Sequence, residues 1–162
     1  MTAVEAAVGA AIVASVLAVA VPAFVRELHA SRLTEPVAGL QRLGADAVAY
    51  AQGRPVRDAI PASAPLTPSA VPRGMLVVDP PGTWDSPTWT ALGFRASPEG
   101  TPHAFAFAFE AQGPTRATFV AQAHGDLDGN GVTSTFEIRG LATGDPASVV
   151  LQPGMYVESE IE

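Results

Sequence analysis

The hydrophobic pattern of this chain changes character three times along its length. Residues 1–25, MTAVEAAVGAAIVASVLAVAVPAFV, are almost continuously apolar, interrupted by one carboxylate, Glu5, and one proline, Pro22. No charge lies between Glu5 and Arg26. Twenty such residues at about 1.5 Å each cover roughly 30 Å, the thickness of a bilayer's hydrocarbon core, so the segment reads as a membrane-spanning helix. An ionisable group at mid-bilayer costs about 2.5–3.5 kcal/mol on insertion scales, and Glu5 is therefore expected to have a dedicated partner.

After Arg26 the uniform run becomes a stripe. Val25, Leu28, Leu33, Val37, Leu40, Leu43, Ala47 and Tyr50 recur at helical steps, predicting an amphipathic helix over 26–53 that Gly53 and Pro55 end. The two halves together predict one bent helix of about 50 residues. Pro22 removes a backbone donor and is expected to kink or open it. Pro36 is accommodated if the helix bends there or restarts after Thr34 as a cap.

Residues 54–74 carry Pro55, Pro61, Pro65, Pro68 and Pro72 among small residues. That predicts an extended connector without regular structure, either a free linker or a loop draped over a sheet. From Met75 the pattern turns to β. Met75–Val78 is a short apolar run, and HAFAFAFE (His103–Glu110) alternates with Phe105, Phe107 and Phe109 on one face. RATFVAQAH (Arg116–His124) and TFEIRG (Thr135–Gly140) read as neighbouring strands of an antiparallel meander. Between Val78 and His103, Ser86-Pro87-Thr88-Trp89 reads as a capped helix start that Leu92-Gly93 closes. Trp84, Trp89 and Phe94 are expected in the core. The fold class is therefore α+β: a long N-terminal helix on a small antiparallel sheet, with residues 75–162 and 26–53 forming a head.

Composition narrows the function. The chain has 162 residues and no cysteine, which excludes disulfides and thiolate metal sites. Its net charge of −7 is concentrated at the C-terminal end, where residues 96–162 hold Arg116 and Arg139 against nine acids. With no lysine and an acidic end, the chain lacks the basic face that phosphate contact needs, so nucleic acid is not an expected partner. His29, His103 and His124 are scattered, and no nucleophile elbow, phosphate loop or zinc-protease motif is present, so no enzymatic activity is expected.

One constellation carries metal chemistry. Asp126, Asp128, Asn130, Gly131 and Glu137 satisfy the D-x-[DN]-x-[DN]-G-x5-E spacing of a calcium loop, with the Val132 carbonyl as a further oxygen. Short oxygen-bearing side chains two apart converge on a tight turn, and Glu137 would close the shell. The flanks read as strands rather than helices. The competing reading is a hairpin turn whose Asp and Asn side chains bond their own backbone.

Three readings of residues 1–25 remain open from the residues themselves. Ala18-Val19-Ala20 fits a signal-peptide cleavage pattern, but no basic region precedes the apolar run. A plain anchor with Arg26 and Arg32 after the span would place the head in the cytoplasm. A basic leader removed before Met1 would reverse that orientation. On this last reading the segment resembles the mature N-terminus of a type IV pilin: Thr2-Ala3-Val4-Glu5, a long apolar helix, then Val21-Pro22-Ala23-Phe24. The family's acidic residue and helix-breaking proline fall on Glu5 and Pro22, Met1 stands at the processed terminus, and Ala14 replaces the family's mid-helix glycine. The Gly-Asp-Leu-Asp-Gly turn and the segment from Trp89-Thr90-Ala91-Leu92-Gly93-Phe94 to the acidic end also resemble myxobacterial-type pilin heads.

The resemblance implies cleavage and N-methylation at Met1 by a leader peptidase. It implies storage as a single-pass inner-membrane protein and polymerisation into an extracellular helical filament of identical copies by the pilus assembly machinery. Glu5 would meet the Met1 amine of an adjacent copy. Calcium at the acidic turn would replace the disulfide that staples other pilin heads. The alternatives are a minor pilin or pseudopilin of a type II secretion system, and a membrane-anchored calcium-binding module that never polymerises.

Overall fold

The computed structural model of the chain describes residues 2–113 and 117–159, and for residues 26 and 28–30 the backbone alone. Helix α1 (Ala3–Arg32) is followed directly by α2 (Thr34–Ala51). Next come a 3-10 turn (Val56–Asp58), strand β1 (Ala64–Thr67) and the short helix α3 (Pro87–Leu92). Strands β2 (Phe105–Gln112), β3 (Thr118–Gly125), β4 (Ser134–Thr143), β5 (Ser148–Leu151) and β6 (Tyr156–Glu158) complete the chain. The α+β arrangement is the one the pattern predicts: a long N-terminal helix and an antiparallel sheet ordered β1-β2-β3-β4-β5, with β6 also pairing β4.

The division between the two long helices falls at neither proline. α1 runs through Pro22 without interruption, and the division falls at Leu33. Pro36 then occupies the first turn of α2, where a missing N–H removes no intrahelical bond. Thr34 does not act as a side-chain cap; its hydroxyl donates to the Ser31 carbonyl at 3.2 Å.

α2 lays Pro36, Gly39, Leu40, Leu43, Gly44 and Ala47 on the sheet. Phe105, Phe107 and Phe109 meet it from β2, Phe119 from β3, and Phe136 and Ile138 from β4. Burying each such side chain contributes about 1.5–3 kcal/mol. Gly39 permits the approach: a Cβ there would lie 2.5 Å from Phe107 Cζ. Trp84, Trp89 and Phe94 are buried as expected, and their ring centroids lie 5.4–5.8 Å apart.

α3 begins as its sequence indicates. Ser86 Oγ accepts the Trp89 N–H at 3.3 Å, Pro87 takes the first helical position and Gly93 ends the helix at φ 67°. The connector over 54–74 is more regular than its prolines indicate, because β1 lies within it and pairs Thr67 with Phe107. An edge strand needs its N–H groups on one side only, so Pro65 is tolerated. Met75–Val78, by contrast, forms no strand; only isolated bridges, Arg73 with Asp126 and Val77 with His103, tie this segment to the sheet.

Candidate functional site

Two places carry the chemistry singled out above. At the N-terminus, α1 over Ala3–Val25 is long and apolar enough to cross a membrane, and none of that length is buried against the head. Thr2 and Glu5 close a capping box. The Glu5 carboxylate accepts the Thr2 N–H at 2.7 Å, and Thr2 Oγ1 accepts the Glu5 N–H at 3.3 Å. A carboxylate in the first turn also faces the positive end of the helix dipole. Within one copy, then, the Glu5 carboxylate is engaged at the helix start by local bonds. Met1, the other half of the expected assembly pair, lies outside the described residues. Pro22 sits within α1, between exposed Val21 and Ala23.

The second place is the turn between β3 and β4. Asp126 is 1 % exposed, and its carboxylate is taken up by the turn itself. Oδ1 accepts the Gly129 N–H at 2.8 Å and Oδ2 the Gly131 N–H at 3.0 Å. Asp128 accepts the Asn130 backbone N–H at 3.0 Å and side-chain amide at 2.8 Å, and Asn130 Oδ1 accepts the Val132 N–H at 2.6 Å. Ser134 closes the turn by donating to the Gly125 carbonyl at 3.1 Å. These are nested Asx turns, the arrangement of the hairpin reading.

Glu137 is not brought to this turn. It belongs to β4, where side chains alternate, and lies on the sheet face opposite Phe136 and Ile138. There Gln122 donates to one of its oxygens at 3.1 Å and Arg139 to the other at 2.6 Å. Asp126, Asp128 and Asn130 are thus gathered, while the residue meant to close a calcium shell is engaged elsewhere. No group of three or more metal-ligating His, Cys, Asp or Glu occurs among the described residues. In this arrangement Glu137 stands apart from the turn's oxygens, bonded to Gln122 and Arg139. His124 shares the outer face, bonding Thr135 Oγ1 at 3.0 Å. Burial holds its pKa below the ordinary 6.5, with the nearby Glu137 charge opposing.

A third cluster escaped the sequence. Glu35, in the first turn of α2, reaches the start of β2. Its carboxylate accepts the Ala104 N–H at 3.0 and 3.1 Å and the Phe105 N–H at 3.0 Å. Burial raises its pKa above the ordinary 4.5 despite those bonds and despite the charges of His103 and Arg32. His103, 1 % exposed, donates from Nδ1 to the Phe105 carbonyl at 2.9 Å and places Nε2 3.0 Å from Asp79 Oδ2. The Trp84 indole N–H donates to the same Asp79 oxygen at 2.6 Å. Nothing local in the sequence signals the Glu35 contacts, which join positions about 70 apart; an acid one residue into a helix is the one hint.

No protein-family model, curated protein or solved structure matches this chain.

Proposed function

We propose that the chain is the structural subunit of a type IV pilus filament, stored in the inner membrane and polymerised through its N-terminal helix. One observation carries the reading: Ala3–Val25 is an apolar helix that its own head leaves entirely uncovered, with a single carboxylate at its start. Such a helix needs lipid around it before assembly and other helices afterwards. Ala6, Ala7, Gly9, Ala10, Ala11 and Ala14 let neighbouring backbones approach closely. In that apolar setting a carboxylate and a terminal amine attract far more strongly than in water, so Glu5 would fix axial register by meeting the Met1 amine of the next copy.

The test is made in the cell that expresses the protein. Sheared surface filaments, imaged by electron microscopy and analysed for this chain, are expected to contain it with an N-methylated Met1. Glu5→Ala is expected to abolish incorporation while leaving the membrane-held copies intact. Absence of the chain from sheared filaments would refute the major-subunit reading in favour of a short secretion-system filament. Unimpaired assembly of the Glu5→Ala protein would refute the role given to Glu5.

A further inference from the structure

The antiparallel register sorts the head into two ends. Glu35 binds the first residues of β2, so the start of β2 lies where α1 passes into α2. Phe105 pairs with Gly125, and Gly125 with Ser134, so the β3–β4 turn lies at that same end. The Arg73–Asp126 and Val77–His103 bridges bring the segment after β1 there too. At the opposite end, the β4–β5 turn meets the end of α2 through the Ala147 N–H and the Arg54 carbonyl, 2.8 Å apart. Everything at the first end is therefore close to the root of the apolar helix.

That end is where the head breaks the rule of apolar side chains inside. Met75 is 64 % exposed, Leu76 48 %, Val78 53 % and Val132 50 %. The two loops that carry them touch: a Cβ on Gly74 would lie 3.3 Å from Gly129 Cα, and the Gly74 N–H donates to the Asp126 carbonyl at 2.7 Å. Between them runs an open groove of about 750 Å³, lined by Leu66, Val71, Met75, Val77, Val78 and Thr133. Exposed Arg73 borders it.

Height above the bilayer follows from helix geometry. Arg26–Arg32 lifts the head about 10 Å above the end of the apolar span, at about 1.5 Å per residue. The interfacial layer on each side of the hydrocarbon is roughly 5–8 Å thick. Spanning helices tilt by about 20°, and a tilt toward the rim lowers it toward that layer. The leaning side of the head then enters the headgroup layer, the depth at which exposed aliphatic side chains and an arginine are both favoured.

We propose that this rim is a lipid-contact surface: while α1 spans the bilayer, Met75, Leu76, Val78 and Val132 rest in the headgroup layer with Arg73 against lipid phosphates. The proposal rests on the spanning role of α1. It gives the head a fixed leaning posture in the membrane, and extraction into a filament frees the rim from lipid.

The chain has no cysteine, so one introduced thiol carries one label. Full-length Met75→Cys, Val132→Cys, Ala14→Cys and Asp145→Cys proteins, each bearing an environment-sensitive fluorophore, are reconstituted into vesicles of equal phosphatidylcholine and phosphatidylglycerol. Nitroxide lipids quench either just below the headgroups or deep in the chains. The labels at 75 and 132 are expected to lose about half their emission to the shallow quencher. The label at 14 should respond to the deep quencher, and that at 145 to neither. Quenching at 14 with 75 and 132 behaving like 145 overturns the rim while leaving the span intact. No quenching at 14 overturns the span, and the rim proposal with it. A blue shift at 75 and 132 that grows with protein density but not with lipid quencher assigns the surface to a second copy and overturns the proposal.

Discussion

Glu35 offers the sharpest test of how the long helix is fastened to the head. Glu35→Ala removes the acceptor for the Ala104 and Phe105 N–H groups, both in buried residues. An orphaned buried donor costs about 1–3 kcal/mol, and Glu35 itself is only half-buried, so water can reach part of the vacated space. The lower end of the range applies to both donors, giving a loss of about 2 kcal/mol, or about 6 °C in melting temperature for a head of this size. Glu35→Gln keeps one acceptor oxygen and should lose about half as much. The pH dependence has a definite sign. Burial raises the Glu35 pKa above 4.5, so the folded chain holds this proton more tightly than the unfolded chain does. Its contribution is complete below pH 4.5 and declines as pH rises through the folded-state value, with a slope of at most about 1.4 kcal/mol per pH unit. Chemical unfolding of full-length protein in detergent micelles, followed by Trp84 and Trp89 fluorescence across pH 4–7, measures all of this. Subtracting Glu35→Gln from the parent cancels other groups, including Asp46, whose pKa burial also raises against the opposing charge of Arg42. A Glu35→Ala loss under about 0.5 kcal/mol would refute the clasp, and a parent-minus-Gln difference that grows with pH would refute the raised pKa.

Two further outcomes concern the acidic turn. Asp126→Ala strips the acceptor from the Gly129 and Gly131 amides and should destabilise the head by about 2–4 kcal/mol in the same unfolding assay, whereas a change within 0.5 kcal/mol would show the turn holds without it. Millimolar calcium is expected to leave the melting temperature unchanged against a chelator control, because Glu137 is engaged by Arg139 and Gln122. A calcium-dependent rise of several degrees would show that Asp126, Asp128 and Asn130 gather a cation without Glu137.

What could be read from the sequence was what local chemistry decides. Ser86, Pro87 and Gly93 delimit α3 because cap, first-turn proline and left-handed glycine each act within a few residues. Phe105, Phe107 and Phe109 declare their face because strand alternation is local too. β5 and β6 left no such mark: Tyr156–Glu158 is wholly exposed and is a strand only because β4 offers it partners at Thr135–Glu137. Glu137 shows what spacing alone leaves undecided. In a helix-flanked loop its position would return it to the turn, but the alternation of β4 sends it to the outer face. Pro22 lies within the unbroken span of α1, and the helices divide eleven residues later, near where Glu35 anchors the chain to β2.

That anchor and the exposed rim belong to one mechanical path. Glu35 grips the N–H groups of Ala104 and Phe105, while the adjacent His103 grips Val77 through two backbone bonds of 2.9 Å and faces Asp79 with its ring. Val77 lies between Leu76 and Val78, two of the rim's apolar side chains. The angle at which α1 leaves the head and the height at which the rim meets lipid are therefore set by the same few residues. Loosening the clasp in Glu35→Ala should change both together: the label at 75 would lose its distinct quenching depth in vesicles while that at 14 kept its own. A variant that lost stability yet kept the rim at one depth would show that helix angle and rim height are fixed separately, and that the 73–78 segment is held by the acidic turn through Arg73 and Asp126 alone.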